Sequence, residues 1–292
     1  MSMQSKDSMV RFRKTIIESL YLMMIKLLNL LLLGMLITGC KQSSPSVEKT
    51  VSTAQAIVKP APMTTPSSFD ENLTLDYCMG KFDPNNDDRF VKIADKYADR
   101  SGMYLRKEAY ESFKKMYSAA EASGIKLVVR SATRNFDYQR GIWERKWTGT
   151  TKLSDGVNAA TDISSEKDRA KKIMNYSAMP GASRHHWGTD IDLNSFNNAY
   201  FESGKGLLIY QWLVKHAHEY GYCQPYTPKS KGRSGYNEEK WHWSYTPLSK
   251  PLTAFAAMHL HDEHFSDFAG HSTAKELSVV KNYVLGIDET CK

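Results

Sequence analysis

The sequence predicts an α+β domain with a small, mainly antiparallel sheet and flanking helices. Three observations lead there: several separate stretches carry apolar residues at helical spacing, short runs of polar and apolar alternation lie between them, and no regular strand–helix–strand repeat signals a parallel sheet. At 292 residues, 41% hydrophobic and 24% charged, the chain is long enough for one sizeable core and has an ordinary globular composition.

Along the chain, Ala109, Phe113, Met116, Tyr117 and Ala120 share one helical face, and Gly124 stands where that helix should stop. Ile125 to Ser131 then reads as a strand. A second helix follows Asn135, with Trp143 and Trp147 four apart on one face, and a third starts near Ser164 or Ser165, either of which can cap it. Gly188 to Leu193 alternates as a strand, Leu207 to Tyr220 is amphipathic with Gly221 behind it, and Trp241 to Tyr245 alternates again.

The formal charge of +7 is spread unevenly. Residues 1–39 hold five cations against Asp7 and Glu18, a net of +3, so the rest of the chain carries +4. That bias suits an anionic wall or membrane surface. It does not suit nucleic acid, because the cations are dispersed among acids instead of clustered.

Lys26 precedes the one long apolar run, Leu27 to Ile37, and Ile37-Thr38-Gly39-Cys40 closes it. The run is short for a membrane span of about 20 residues and has the layout of a cleaved signal peptide over residues 1–39, with Met23 or Met24 as starts that give the usual short n-region. The closing tetrad resembles a bacterial lipobox, so Cys40 is expected to be acylated and to become the new N-terminus. A retained anchor helix is the alternative, and under both readings the domain is exported and tethered to a membrane. Lys41, in place of an aspartate after the cysteine, resembles the signal for outer-membrane sorting, which in a diderm host means its periplasmic face. Residues 40–68, rich in Ser, Thr, Pro and Ala, read as a flexible linker, and 69–292 as the folded domain. Three further cysteines, Cys78, Cys223 and Cys291, allow one disulfide in an oxidising compartment. Cys223 with Cys291, pinning the C-terminal tail, is the favoured pair and Cys78 with Cys291 the next.

The chemistry concentrates in two segments. In Ser183-Arg184-His185-His186-Trp187-Gly188-Thr189-Asp190-Ile191-Asp192-Leu193, His185 and Asp192 are suitable zinc donors, and strand alternation sends Asp190 and Asp192 to one face. In Glu238-Glu239-Lys240-Trp241-His242-Trp243-Ser244-Tyr245, Trp241 and Trp243 share the packed face, so His242 points the other way. Glu239 reaches a metal held by His242 only if the chain bends or bulges near Lys240. Three donors and a spare glutamate are what metal-assisted hydrolysis requires. His186 is a weaker competitor for the metal, Asp190 is expected to orient a ligand histidine, and Trp187 is expected to be partly exposed beside the site. Four histidines between His259 and His271 read as surface residues.

S-x-H-x-x-G-x-x-x-D followed by E-x-W-H resembles the signature of the VanY-type zinc D-alanyl-D-alanine carboxypeptidases, whose fold is shared with lysostaphin-type peptidases and hedgehog signalling domains. Ser131-Ala132-Thr133-Arg134-Asn135-Phe136-Asp137-Tyr138-Gln139 resembles that family's S-G-Y-R-S-x-x-x-Q segment, and the likeness spans about Leu105 to Tyr245. The resemblance implies one catalytic Zn2+ on His185, Asp192 and His242, with Glu239 as base and Arg134 gripping either the developing oxyanion or the substrate carboxylate. Ser131 and Gln139 match substrate-side positions, and peptidoglycan stem peptides are the implied partners. Arg184, His186, Asp190, Thr133 and Asn135 depart from the commonest pattern at positions that bear on substrate preference. The implied activity is removal of the terminal D-Ala from stem peptides. The alternatives are an L,D-carboxypeptidase, a stem-peptide endopeptidase, or a wall-binding module that holds zinc without turnover.

Overall fold

The computed structural model describes residues 73–292. Residues 1–39 and the whole linker region 40–68, Cys40 included, therefore lie outside the described residues. In chain order the elements are α1 (Leu75–Cys78), β1 (Phe90–Lys92), β2 (Tyr104–Arg106), α2 (Lys107–Ala122), β3 (Val129–Ser131), α3 (Phe136–Trp147), α4 (Ala159–Asp162), α5 (Glu166–Ile173), β4 (Asp190–Leu193), α6 (Gly204–His216), β5 (Tyr222–Cys223), β6 (His242–Tyr245), α7 (Thr246–His259) and α8 (Ala274–Leu277). Short 3-10 turns join several of them. The main sheet has four strands in the order β3-β4-β6-β5, all antiparallel, and β1 and β2 form a separate two-stranded ladder. This is the α+β class the alternation predicts, in one domain. Among the described residues no helix is long and apolar enough to cross a membrane.

Local signals explain where the helices begin and end. Asn135 Oδ1 accepts from Tyr138 N at 2.9 Å and caps α3, and Ser165 Oγ accepts from Asp168 N at 3.3 Å and caps α5. Gly124 adopts φ +73°, which only glycine takes without strain, while Ile125 N returns to Ala120 O at 2.8 Å to close the end of α2. The strand read from Ile125 is shorter than expected. Only Val129–Ser131 pairs with β4, across a register shift between Val129 and Ser131.

The sheet separates two apolar clusters. Ile191, Leu193, Trp241 and Trp243 pack with Phe113, Met116 and Ala120 of α2 and Ile209 and Leu213 of α6. A second cluster joins Trp143 and Trp147 of α3 to α5, α7 and the C-terminal segment. Trp143 stacks on Trp147 with ring centroids 6.0 Å apart and donates from Nε1 to Ala269 O at 2.7 Å. Cys78 is buried in this cluster as a free thiol, and burial pushes its pKa up to about 12, so it is neutral and unreactive at ordinary pH. His259, His261 and His271 lie on the surface, and His264 is half-buried.

Cys223 and Cys291 form a disulfide with Cα atoms 5.7 Å apart, closing a loop with a sequence separation of 68. The bond ties the last turn of the chain to β5. Replacing both cysteines by serine is expected to lower unfolding free energy by about 2–4 kcal/mol. Denaturant titration checks this, and an unchanged midpoint would contradict it.

Candidate metal centre

The site grows from the register of three strands. Ser131 pairs with Asp192, and Asp192 pairs with His242, so one row of side chains crosses β3, β4 and β6. In the next row Asp190 faces Ser244. Ile191 and Trp243, paired between these rows, sit in the cluster on the opposite side of the sheet. His185 arrives from the 3-10 turn Arg184–Trp187, which Gly188 ends at φ +70°. A Cβ on Gly188 would lie 2.3 Å from Phe90, so this exit from the turn requires glycine.

Glu239 comes back to His242 by a bend. His242 N donates to Glu239 O at 3.3 Å across Lys240 and Trp241, which is the bend that alternation alone forbids. Glu239 N donates to Tyr226 O at 2.9 Å and its carbonyl accepts from Gln224 Nε2 at 3.1 Å. Its carboxylate then lies 3.1 Å from His242 Nδ1.

The donor atoms fit a divalent cation. One atom from each of His185, Asp192 and His242 lies within 4.8 Å of the others, and all three residues are buried. His185 Nε2 is 3.2 Å from Asp192 Oδ2 and His242 Nδ1 is 3.4 Å from Asp192 Oδ1, close to the roughly 3.3 Å between neighbouring donors of a tetrahedral zinc. His185 Nε2 and Asp192 Oδ1 are buried without any hydrogen bond, a costly arrangement that a bound cation would relieve. The outer nitrogens are fixed: His185 Nδ1 meets Ala132 O at 2.8 Å and His242 Nε2 meets Asp190 Oδ2 at 2.8 Å. A carbonyl only accepts, so His185 carries its proton on Nδ1 and presents the Nε2 lone pair inward.

Electrostatics match this geometry. Burial acts to raise the Asp192 pKa, but the charges of His185, His242 and Arg134 hold it at about 2. Burial opposes a charge on His242, yet its hydrogen bonds to Asp190 and Glu239 and the charge of Asp192 bring its pKa up to about 9. A metal-free site therefore stores a proton on His242 that the ion must displace. Burial raises the Glu239 pKa against the opposing pull of His242.

Arg134 is clamped. Nη1 donates to Ser131 Oγ at 2.7 Å, Nε donates to Gln139 Oε1 at 3.0 Å, and Nη1 lies 3.5 Å from Asp192 Oδ2. Gln139 in turn donates to Ala178 O at 2.8 Å. Ser131 and Gln139 line the cleft, as the family pattern implies, but their visible work is to hold the guanidinium. His185, Asp192, His242, Glu239, Arg134, Ser131 and Gln139 all border one cavity of about 280 Å³.

Two further expectations concern neighbours of His185. Trp187 is not exposed beside the site: it is 1% accessible, its Nε1 donates to Cys78 O at 3.0 Å, and Arg184 lies over its ring at 4.5 Å. The tight turn directs this indole into the apolar cluster that also holds Cys78, Trp143 and Trp147. His186 has both nitrogens engaged, Nδ1 with Arg134 O at 2.6 Å and Nε2 accepting from Gly181 N at 3.0 Å. Burial drives its pKa down to about 3, and no lone pair is left for an ion.

Sequence reasoning missed several participants. Arg184 pairs with Asp190 at 3.2 Å and donates to Thr253 Oγ1 and Ser244 Oγ, each at 2.9 Å. Tyr226 sets its ring 4.7 Å from that of His242. Lys146 enters the cavity wall from α3. Only Lys146 carried a local signal, since it falls seven residues after Gln139 on the same helical face.

A buried two-histidine, one-aspartate donor set with a carboxylate beside it, opening on a cleft in an α+β domain, is the kind of site metallopeptidases use. The family model of the VanY D-alanyl-D-alanine carboxypeptidases matches residues 102–248, which include His185, Asp192, His242, Glu239, Arg134, Ser131 and Gln139, and the chain belongs to that family. It is 27% identical over 148 residues to "Putative carboxypeptidase YodJ" of Bacillus subtilis (strain 168), covering 49% of this chain and 46% of that one. It is 28% identical over 81 residues to an uncharacterized protein of Haemophilus influenzae (strain ATCC 51907 / DSM 11121 / KW20 / Rd), covering 27% of this chain and 56% of that one. The chain thus spans about half the length of the curated relatives it matches. Similar solved structures include the LdcB LD-carboxypeptidase, with a TM-score of 0.43 and 22% identity over 56% of this chain and 71% of that one. VanYB in complex with D-alanine-D-alanine has a TM-score of 0.42 and 20% identity over 58% of this chain and 83% of that one.

The Asp190 carboxylate is expected to set metal affinity through His242. Asp190→Asn should weaken zinc binding by about 10–100-fold, measured by competition with a chromogenic chelator. Unchanged affinity would remove Asp190 from the site.

Proposed function

We propose that this chain is a zinc carboxypeptidase that removes the terminal D-alanine from peptidoglycan stem peptides and that it is lipid-anchored through Cys40 outside the cytoplasm. The observation that carries the reading is the pair of orphaned buried donors, His185 Nε2 and Asp192 Oδ1, beside the buried Glu239 carboxylate in a chain of the VanY family. His185, Asp192 and His242 would hold the ion, leaving a position open for substrate, whereas a purely structural zinc fills all four positions with protein ligands.

Zinc in that place supplies Lewis acidity, polarising a substrate carbonyl and acidifying water to a pKa of about 7. The chain's own residues supply the rest. Glu239, fixed by its backbone bonds to Tyr226 and Gln224, takes the proton of the attacking water and returns it to the leaving amine. Its raised pKa suits a carboxyl that must hold that proton between the two transfers. Arg134 keeps its charge and, clamped by Ser131 and Gln139, presents a fixed fork of donors to an oxyanion or a terminal carboxylate.

Zinc-loaded protein is expected to release one D-alanine from a pentapeptide stem and to leave the tetrapeptide intact, as read by mass spectrometry. Release from the tetrapeptide would mark an L,D-carboxypeptidase, internal cleavage an endopeptidase, and no hydrolysis a wall-binding module. Glu239→Gln should lower kcat by about 10²–10⁴-fold while zinc content stays at one ion per chain. Full turnover in that variant would sink the assignment of the base. For the anchor, Cys40→Ala is expected to move the protein from the membrane to the soluble fraction in cell fractionation, and retention would contradict lipidation.

A further inference from the structure

The cavity that holds the site does not end there. A second cavity of about 570 Å³ adjoins it, and the two share Lys146, Tyr176, Phe196 and Trp241 as a common wall. Tyr176 and Phe196 are exposed and flank Trp241, with ring centroids 6.1 and 6.4 Å from it. A substrate whose last residue lies beside the metal centre must run out of the first cavity, and the second, larger space is immediately next door.

Lys146 stands at the junction in an unusual electrostatic position. Its ammonium meets the Ser177 hydroxyl and belongs to no ion pair among the described residues. Asp155, on the second cavity's wall, is already paired with Lys172 at 2.6 Å. In the first cavity Arg134 and Lys146 face Asp192 and Glu239, Arg100 on its wall is paired with Asp99 at 3.6 Å, and a bound divalent ion would make the cleft more positive. A cation mostly removed from water and without an ion-paired partner is costly by itself and is stabilised when an anion docks against it. Burial lowers the pKa of Lys146, and the nearby Arg134 charge adds to that effect against the opposing pull of Glu239. The charge of an arriving carboxylate would oppose both.

We propose that the second cavity is the subsite for the stem residues N-terminal to the scissile bond and that Lys146 is its specificity-determining residue, binding a carboxylate carried by that part of the substrate. The inference rests on the carboxypeptidase reading for the direction in which the peptide runs. Two stem positions can bring such a group: a third-residue side chain that ends in a carboxylate, as in a diaminodicarboxylic acid, and the free α-carboxylate of a γ-linked glutamate.

The test uses the full chain, zinc-loaded, with synthetic pentapeptides that share their two C-terminal D-alanines. One set differs only at the third residue, a diaminodicarboxylic acid against lysine; the other differs only in amidation of the glutamate α-carboxylate. Two quantities are measured for each peptide, kcat/KM with the otherwise native protein and Kd in a Glu239→Gln background. The expected result is a preference of ten-fold or more for the carboxylate form in at least one set, and the set that shows it names the source. Lys146→Met should bring that ratio to within two-fold of one, and Lys146→Arg should restore most of it. The proposal is overturned if neither set discriminates, or if Lys146→Met weakens all peptides by one common factor, which would assign Lys146 to the terminal carboxylate or to folding. If nothing is hydrolysed but Kd discriminates and depends on Lys146, the subsite stands and the carboxypeptidase reading is what fails.

Discussion

The pairing of β4 with β6 is the constraint on which the site depends. It sets Asp192 opposite His242 and Asp190 opposite Ser244, and it sends Ile191 and Trp243 to the other side of the sheet. A slip of one residue would exchange the faces, putting an indole where the imidazole must be. Nothing in the polar row itself forbids that slip. The apolar row forbids it, because Ile191, Leu193, Trp241 and Trp243 are all buried against α2 and α6, and burial of each such side chain contributes about 1.5–3 kcal/mol. The position of the donors is therefore enforced from behind, by residues that never touch them.

Asp190 and Asp192 are two residues apart on one strand face, yet they occupy different chemical worlds. Asp190 has fixed partners on every side: the Arg184 guanidinium at 3.2 Å, Ser244 Oγ and Thr189 Oγ1 each at 2.6 Å, and His242 Nε2 at 2.8 Å. Burial alone would raise its pKa, and the Arg184 charge and the His242 bond hold it far below the usual carboxylate range. Asp192 has no such permanent set, and its Oδ1 is without a hydrogen bond. One carboxylate is saturated by the protein and sets the direction of an imidazole; the other is left for an exchangeable cation. The saturated pair has its own cost, since deleting one member of a buried ion pair leaves the other uncompensated at about 3–5 kcal/mol.

How much of this was readable in the chain follows from the range of each interaction. The two motif segments, the shared face of Asp190 and Asp192, the outward turn of His242 and the Asn135 and Ser165 caps all depend on neighbours within a few residues, and alternation or spacing exposes them. The bend at Lys240 was legible as a requirement, because Glu239 lies on the wrong face of an unbroken strand. The β1–β2 ladder was not, since three-residue strands leave no periodicity to detect. Trp187 was misplaced because its direction is set by the left-handed Gly188 and by contacts with Cys78, more than a hundred residues away in sequence. Arg184 looked like a departure from pattern until Thr253 and Ser244, again distant in sequence, appeared as its acceptors. Tyr226 comes from a stretch with no regular pattern, and its role rests wholly on where the loop is pinned.

The most consequential long-range feature is the mutual grip of the two motif segments. Arg134 N donates to His185 O at 3.1 Å, His185 Nδ1 donates to Ala132 O at 2.8 Å, and His186 Nδ1 meets Arg134 O at 2.6 Å. Three bonds thus join residues 132–134 to residues 185–186, and the third explains why a second histidine follows the ligand without being one. Gly80 closes the assembly from outside: Phe136 N donates to its carbonyl at 2.7 Å, and a Cβ there would lie 2.4 Å from His186 Nδ1. A donor histidine and the cleft's clamped arginine are consequently held by each other's backbone, so neither can shift without moving the other. For the proposed metal site, that shared backbone removes the reorganisation that independently mounted side chains would need.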